Sequence, residues 1–245
     1  MIKGVFFDLG GTLRICDPLP WHQAAARTRM AWLAGADDPE AFLSEIDKRY
    51  EERYRPWALG ENRESGDYEL WAKWLLPELP EEKLRQICHE MTYQYRQVKG
   101  LRRVVEGGYE VIRELKRRGF KLGIISNLIG ECEIQDWLRR DGLEGYFDTV
   151  VLSSVCGLRK PDPEPYRMGC RGLGLEPGEC ASIADNLNRD IAGAKRVGIG
   201  ANILFISPEK LAAKKIDDGN RPDYIIHRFT DALALPILQK GGLDA

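Results

Sequence analysis

Side chains that could do chemistry recur where apolar runs of this sequence end. Asp8 follows the run at 5–7, Asp185 follows the run at 181–184, and Ser126 ends a third. Carboxylates can attack electrophiles or bind metal ions, and a hydroxyl can bind an anion. Because the carboxyl ends of parallel strands meet at one edge of a sheet, these groups are expected to form one site.

The elements that would position these groups alternate between strand and helix after residue 100. Strands are predicted at 5–7, 121–126, 149–153, 181–184 and 202–206, and helices at 107–118, 131–140, 163–172 and 190–197. Repeated β-α units with apolar strands predict an α/β fold, a mostly parallel sheet flanked by helices. The segment 207–222 is predicted to be a polar loop.

A different pattern runs from about residue 21 to residue 99, where apolar residues recur in steps of three or four and predict helices. Asp38 before Pro39 is typical of a helix start, and so is Pro80 before two glutamates. Five tryptophans (21, 32, 57, 71 and 74) are expected to form a small helical core. We therefore predict an all-helical domain at 16–99, inserted into an α/β domain made of 1–15 and 100–245.

Composition excludes several classes of function. Of the 245 residues 43% are hydrophobic, and 36 basic residues nearly balance 38 acidic ones. The pairs and runs of basic residues at 102–103 and 116–118 are expected on solvated helix faces, so no nucleic-acid partner is predicted. No apolar run approaches the ~20 residues of a membrane span, and the first residues lack a secretion signal. The six cysteines show no paired spacing, which indicates reduced thiols in the cytoplasm.

Four segments, taken together and in this order, resemble the haloacid dehalogenase (HAD) superfamily. They are Asp8-Leu9-Gly10-Gly11-Thr12-Leu13, Ser126-Asn127, Arg159-Lys160-Pro161-Asp162 and Asp185-Asn186-Leu187-Asn188-Arg189-Asp190. Each is weak alone, but all four at predicted strand ends are specific. The resemblance implies a Rossmann-like parallel sheet with an inserted helical cap of the C1 type, for which the 118 residues between the first two segments leave room.

The resemblance also implies a role for each matching residue. Asp8 corresponds to the nucleophile that attacks phosphorus and becomes an aspartyl-phosphate, and Thr12 to the threonine that orients its loop. Ser126 and Asn127 correspond to the phosphate-binding pair. Lys160 corresponds to the cation that stabilises the nucleophile and the phosphoryl charge. Asp162, with Pro163 after it, is instead interpreted as a helix cap.

A carboxylate attacks a dianionic phosphate poorly unless a cation neutralises the charge between them, so Mg²⁺ is the expected cofactor. The resemblance implies that Asp8, the main-chain oxygen of Gly10, Asp185 and Asp190 are its ligands. Asp190 has a second interpretation, as the N-cap of the helix that follows it.

Gly10 is a departure from the family pattern. Typical HAD phosphatases carry a second aspartate there, which protonates the leaving group, and a positioned acid or base contributes ~10² to 10⁴ in rate. Slow turnover is expected on poor leaving groups unless another residue substitutes. Asp17, Cys16 and His22 are candidates.

The leading hypothesis is a Mg²⁺-dependent phosphohydrolase of a small phosphorylated metabolite. A phosphonate C–P hydrolase is an alternative that would need a cap lysine, for which the chain offers Lys48, Lys73, Lys83 and Lys99. A dehalogenase is disfavoured because Asp185 and Asp190 are both retained. A phosphate-binding protein with little turnover is the remaining alternative.

Overall fold

The computed structural model describes residues 1–239 and is built around two sheets. The strands are β1 Gly4–Phe7, β2 Arg14–Asp17, β3 Leu101–Val104, β4 Lys121–Ser126, β5 Thr149–Leu152, β6 Cys180–Ala184, β7 Ala201–Phe205 and β8 Tyr224–Ile226. Six of them form a parallel sheet in the order β5-β4-β1-β6-β7-β8, and β2 pairs with β3 in an antiparallel hairpin. This sheet and its flanking helices confirm the predicted α/β class.

The helices fall into two groups along the chain. Between β2 and β3 lie α1 Pro20–Ala34, α2 Pro39–Arg49, α3 Arg55–Gly60, α4 Asp67–Glu69 and α5 Glu81–Gln97, with π-helical turns at Tyr50–Tyr54 and Leu70–Leu75. After β3 come α6 Gly108–Arg117, α7 Glu133–Arg140, α8 Ser153–Cys156, α9 Glu164–Leu173, α10 Ala192–Val197 and α11 Pro208–Ala212. Further short turns are 3₁₀-helical at Pro177–Glu179, Phe229–Ala234 and Pro236–Leu238, and π-helical at Leu187–Ile191.

Strand β1 lies in the middle of the parallel sheet and sets the position of the site. All four of its residues are buried, as a continuous apolar run predicts for a strand covered on both faces. In register, Phe7 pairs with Ile124 of β4 and with Ile183 of β6. Asp8 and Asp185 directly follow β1 and β6, and Ser126 is the last residue of β4, so all three lie at one edge of the sheet.

Residues 20–97, which we call the helical insertion, form most of a second apolar core, distinct from the core around the sheet, and Val98 and Ile129 complete it. Asp38 caps α2, as predicted, by accepting hydrogen bonds from two backbone N–H groups. Trp71 is fully buried in this core, but Trp21 and Trp32 are 70% and 67% exposed. The prediction of a tryptophan core was therefore wrong for those two. At the surface, the Arg29 guanidinium lies over the ring of Trp32.

Two further predictions from the sequence were wrong. Ser153 does not end a strand, because it begins helix α8. The segment 207–222 is not wholly loop, because it contains α11, whose first turn is capped by Ser207 Oγ accepting the N–H of Lys210 at 3.4 Å.

The hairpin of β2 and β3 joins the helical insertion to the sheet, and two of its arginines, Arg14 and Arg102, belong to a buried ionic cluster. Arg102 was expected on a solvated helix face, but it lies on β3 and is only 8% exposed. Glu133 of α7 lies 3.5 Å from Arg14, 3.1 Å from Arg96 and 3.8 Å from Arg102. Burial alone would raise the pKa of Glu133, but attraction to Arg96, Arg14 and Arg102 outweighs it and lowers the pKa from 4.5 to about 2.

We expect Glu133→Gln to lower the free energy of unfolding by about 3–5 kcal/mol, because it leaves buried guanidinium groups without their anion. Wild-type stability from this carboxylate is fully present above pH 4.5 and falls as the pH approaches 2. The variant should lack that part of the pH dependence in urea titrations. Asp136→Asn, on the same helix but at an exposed ion pair, is the control and should change stability by less than about 1 kcal/mol. Equal losses in both variants would contradict the expectation.

Each of the six cysteines is a free thiol, and Sγ atoms of Cys170 and Cys180 lie 4.0 Å apart. Across residues 1–239, no helix has both the length and the apolar character needed to cross a membrane.

Candidate active site

Asp8 stands at the end of β1 in a tight turn. Its backbone N–H donates to the carbonyl of Ile183 at 3.0 Å, and Thr12 Oγ1 donates to Asp8 Oδ2 at 3.3 Å. The turn passes through Gly11 at φ 79°, where a Cβ atom would lie 2.5 Å from Asp185 Oδ2. Only glycine combines this backbone conformation with so close an approach, so the turn brings the first and fourth segments together.

Lys160 reaches the same point from the loop before α9. Its ammonium is buried and donates to Asp8 Oδ1 at 2.8 Å and to the carbonyl of Ile125 at 2.7 Å. The same nitrogen lies 2.6 Å from Asp190 Oδ1. A buried cation between two carboxylates is held in one orientation, so Lys160 links the Asp8 turn to the fourth segment.

Ser126 and Asn127 follow β4 at this edge of the sheet. Ser126 is buried. The Asn127 side chain donates to the carbonyl of Lys160 and accepts its backbone N–H, both at 2.8 Å. Asn127 thus fixes the lysine loop through its side chain, and a phosphate contact from this residue would use its backbone. Asp162 accepts the N–H of Glu164 at 2.8 Å, but α9 begins at Glu164 and its N-cap is Pro163, so the predicted cap at Asp162 was wrong by one position.

Three carboxylates converge at the site. Oxygen atoms of Asp8, Asp185 and Asp190 all lie within 4.8 Å of one another. Burial, together with repulsion from Asp8, raises the pKa of Asp185 to about 6. The N-cap interpretation of Asp190 was wrong, because Asn186 is the N-cap and accepts the N–H groups of Asn188 and Arg189.

Arg189 is a site residue for which the sequence analysis predicts no role. Its Nη2 atom lies 2.8 Å from Asp190, 3.3 Å from Asp185 and 3.7 Å from Asp8. A guanidinium that contacts all three carboxylates marks the place where their negative charge is concentrated. The sequence feature that could have indicated a role for Arg189 is its position between Asp185 and Asp190 in the fourth segment.

The donor set fits a hard divalent cation. The three carboxylates supply the oxygen ligands that Mg²⁺ prefers. Within residues 1–239, Asp190 Oδ1 accepts no hydrogen bond of good angle, although Lys160 Nζ is 2.6 Å away, so this oxygen keeps coordinating capacity. Gly10 lies in the turn between Asp8 and Gly11 and is exposed.

The three candidate substitutes for the missing acid have other partners. Asp17 pairs with Arg103 across the hairpin. Cys16 donates to the carbonyl of Lys99 at 3.1 Å, and His22 Nε2 lies 3.1 Å from Gln97 Oε1.

With a parallel sheet, an inserted set of helices and four motifs meeting at one sheet edge, the chain has the architecture of a HAD-type protein. A family model for haloacid dehalogenase-like hydrolases matches residues 2–198. The chain belongs to this family of hydrolases.

Individual proteins show the same likeness. The pyrophosphatase PpaX of Bacillus velezensis is 32% identical over 129 residues, which cover 51% of this chain and 56% of PpaX. A HAD phosphatase structure from Thermococcus onnurineus is 25% identical with a TM-score of 0.61, covering 95% of this chain and 97% of that one. A 2-haloacid dehalogenase from Pseudomonas syringae shares the fold, with 22% identity, a TM-score of 0.66 and coverage of 98% and 99%. The chain spans about half the length of the curated relatives it matches.

Proposed function

We propose that this protein is a phosphohydrolase that acts on a small phosphorylated metabolite, with Asp8 as nucleophile and Mg²⁺ as cofactor. The observation that carries the proposal is the contact of Lys160 Nζ with both Asp8 and Asp190. A carboxylate oxygen of Asp185 lies within 4.8 Å of oxygens of these two aspartates. A buried nucleophilic carboxylate, a fixed ammonium and a carboxylate cluster together suit transfer of a dianionic phosphoryl group.

Asp8 attacks phosphorus with one carboxylate oxygen, and the bond from phosphorus to the leaving oxygen breaks. The leaving oxygen takes the electron pair, and an acyl phosphate remains on Asp8. Thr12 Oγ1 donates to Asp8 Oδ2, and Lys160 donates to Asp8 Oδ1, so the two bonds together fix the orientation of the carboxylate. Water then hydrolyses the acyl phosphate and restores Asp8.

Asp8, Asp185, Asp190 and the main-chain oxygen of Gly10 would hold the Mg²⁺ ion. When bound, Mg²⁺ neutralises phosphoryl charge so that an anionic nucleophile can approach. Arg189 contacts the same three carboxylates, so its guanidinium would have to move aside when the ion binds. Ser126 and the backbone of Asn127 remain the proposed contacts to the phosphoryl oxygens.

The cap lysines argue against phosphonate C–P hydrolysis. A Schiff-base lysine needs a desolvated amine, but Lys48, Lys73 and Lys99 are exposed. Lys73 pairs with Glu69 and Lys99 with Asp47, and Lys83 donates to the carbonyl of Ala34 at 2.8 Å. A phosphate ester or anhydride is therefore the better substrate class, and PpaX, named a pyrophosphatase, is consistent with it.

A phosphate-binding protein with little turnover is the second candidate, and Gly10 is the observation that favours it. Residue 10 has no side chain to protonate a leaving group, and the candidates Asp17, Cys16 and His22 all have other partners. Binding would survive the loss of an acid, whereas rapid cleavage of alkyl esters would not.

Two further proposals concern the whole chain. The domain limits, 16–99 for the cap and 1–15 with 100–245 for the α/β domain, are supported by two largely separate apolar cores. The limit at residue 16 falls inside β2, which pairs with β3, and residues 240–245 of that assignment lie outside the described residues. We also propose that the protein acts in the cytoplasm, which is consistent with six free thiols.

A panel of phosphate esters, pyrophosphate and a phosphonate, each assayed for released phosphate with Mg²⁺ and with EDTA, tests the function. We expect release from esters or pyrophosphate that requires Mg²⁺ and is lost in EDTA. Hydrolysis undiminished by EDTA would rule out this mechanism. Binding of beryllium fluoride with no turnover on any member would support the second candidate instead.

A further inference from the structure

A second group of metal-ligating side chains lies outside the carboxylate site. Asp67, His89 and Cys132 bring one oxygen, one nitrogen and one sulfur within 4.8 Å of one another. His89 Nδ1 is 2.7 Å from Asp67 Oδ2 and 3.9 Å from Cys132 Sγ. None of these three residues belongs to the four segments that form the carboxylate site.

Asp67 provides an independent sign that this group is incomplete. The residue is 1% exposed, and within residues 1–239 its Oδ1 atom has no hydrogen-bond partner. A buried carboxylate oxygen without a partner is costly, and such oxygens in proteins usually face a cation or a donor. The half-exposed ring of His89 beside it cannot satisfy both oxygens, because it already faces Oδ2.

The cluster of Asp67, His89 and Cys132 can be reached from solvent. His89 and Cys132 are both exposed and line a groove of about 440 Å³. An ion can therefore approach from solvent while Asp67 anchors it from the buried side.

We propose that Asp67, His89 and Cys132 form a binding site for a thiophilic divalent cation of the Zn²⁺ class. A carboxylate, an imidazole and a thiolate are ligands that Zn²⁺ accepts together, whereas Mg²⁺ and Ca²⁺ avoid sulfur. Tetrahedral zinc bonds of about 2.0–2.3 Å place such ligand atoms about 3.3–3.8 Å apart. The observed separations of 2.7 Å and 3.9 Å need only small side-chain shifts. Binding releases the thiol proton of Cys132 to solvent and leaves a fourth position for water.

The placement of the ligands gives this site a structural consequence. Asp67 begins α4 and His89 lies on α5, both in the helical insertion, whereas Cys132 directly precedes α7 of the α/β part. The two parts already touch here, since the backbone N–H of Asp67 donates to Glu131 Oε1 at 2.7 Å and that of Glu131 donates to Asp67 Oδ2 at 3.4 Å. A bound ion therefore ties the helical insertion to the α/β part.

Titration of the reduced protein with Co²⁺, in saturating Mg²⁺, tests the site by spectroscopy. We expect one equivalent of Co²⁺ to produce a thiolate-to-metal charge-transfer band, which an all-carboxylate site cannot give. Cys132→Ser should abolish the band, and His89→Gln should weaken Co²⁺ binding at least about tenfold. Cys16→Ser removes another exposed thiol as the matched control and should keep the band.

A second measurement uses only the wild-type protein. Zn²⁺ should protect Cys132 from alkylation, read by mass spectrometry, while Cys16 in the same sample stays reactive. No charge-transfer band at saturating Co²⁺, a band that survives Cys132→Ser, or alkylation of Cys132 unchanged by Zn²⁺ would each overturn the proposal.

Discussion

Asp8→Asn should abolish turnover, with a loss of at least about 10⁴-fold in kcat. The amide keeps the size of the carboxylate but cannot attack phosphorus, and no acyl phosphate can form on it. Lys160 keeps the carbonyl of Ile125 and Asp190 as partners, so the variant should fold. Phosphate release from the best substrate of the panel measures the effect.

Beryllium fluoride separates loss of the nucleophile from loss of the fold. This mimic of an acyl phosphate should bind the wild type and fail to bind Asp8→Asn, as followed by fluorine NMR. Asp218→Asn, whose side chain is fully exposed, is the control and should retain both turnover and beryllium fluoride binding. Near-normal rates in Asp8→Asn would show that Asp8 is not the nucleophile.

The sequence predicted the parts of the site that follow from hydrophobic burial. Strand β1 is a continuous apolar run and β6 is apolar except for Ser182, which is the pattern of strands buried on both faces, so their ends at Asp8 and Asp185 could be located. Lys160 could be assigned to the same edge because its segment is the third of four that match the HAD pattern in order. These inferences needed only local patterns and the geometry of a parallel sheet.

Long-range electrostatic contacts could not be predicted in the same way. Arg102 looks like a surface residue in the sequence, but Glu133, far along the chain, compensates its charge and allows burial. Arg189 is a similar case, since its contacts with three carboxylates depend on how the π-helical turn at Leu187–Ile191 is placed. Pairing offsets part of the cost of burying a charge, and which charges are paired is decided by the fold.

Short elements were missed for a different reason. Strands β2, β3 and β8 have only three or four residues, and β2 and β3 mix charged with apolar side chains. Their hydrogen bonds come from pairing with distant segments, so the local pattern carries little signal. The hairpin that joins the helical insertion to the α/β part therefore became visible only in the structure.

Gly10→Asp should accelerate hydrolysis of alkyl phosphates by up to ~10² to 10⁴, with much less gain on aryl phosphates. Alkyl alcohols are poor leaving groups and need a proton as they depart, whereas phenols leave readily as anions. The backbone can accept an aspartate at this position, because the φ angle of Gly10 is not in the positive range that disfavours other residues. A Cβ atom there would meet no heavy atom within 4 Å beyond its chain neighbours.

The matched control is Gly10→Asn, which has the same shape as the aspartate variant but no acid. It should leave both rates close to wild type, so that a gain restricted to Gly10→Asp is assigned to proton transfer. Mg²⁺ affinity, measured by calorimetry on all three proteins, checks that the added side chain has not altered the metal site. A folded, Mg²⁺-binding Gly10→Asp with an unchanged ratio of alkyl to aryl rates would refute the missing-acid explanation. Product release, or protonation by Asp17 or His22 after a rearrangement of their present contacts, would then have to explain the rate.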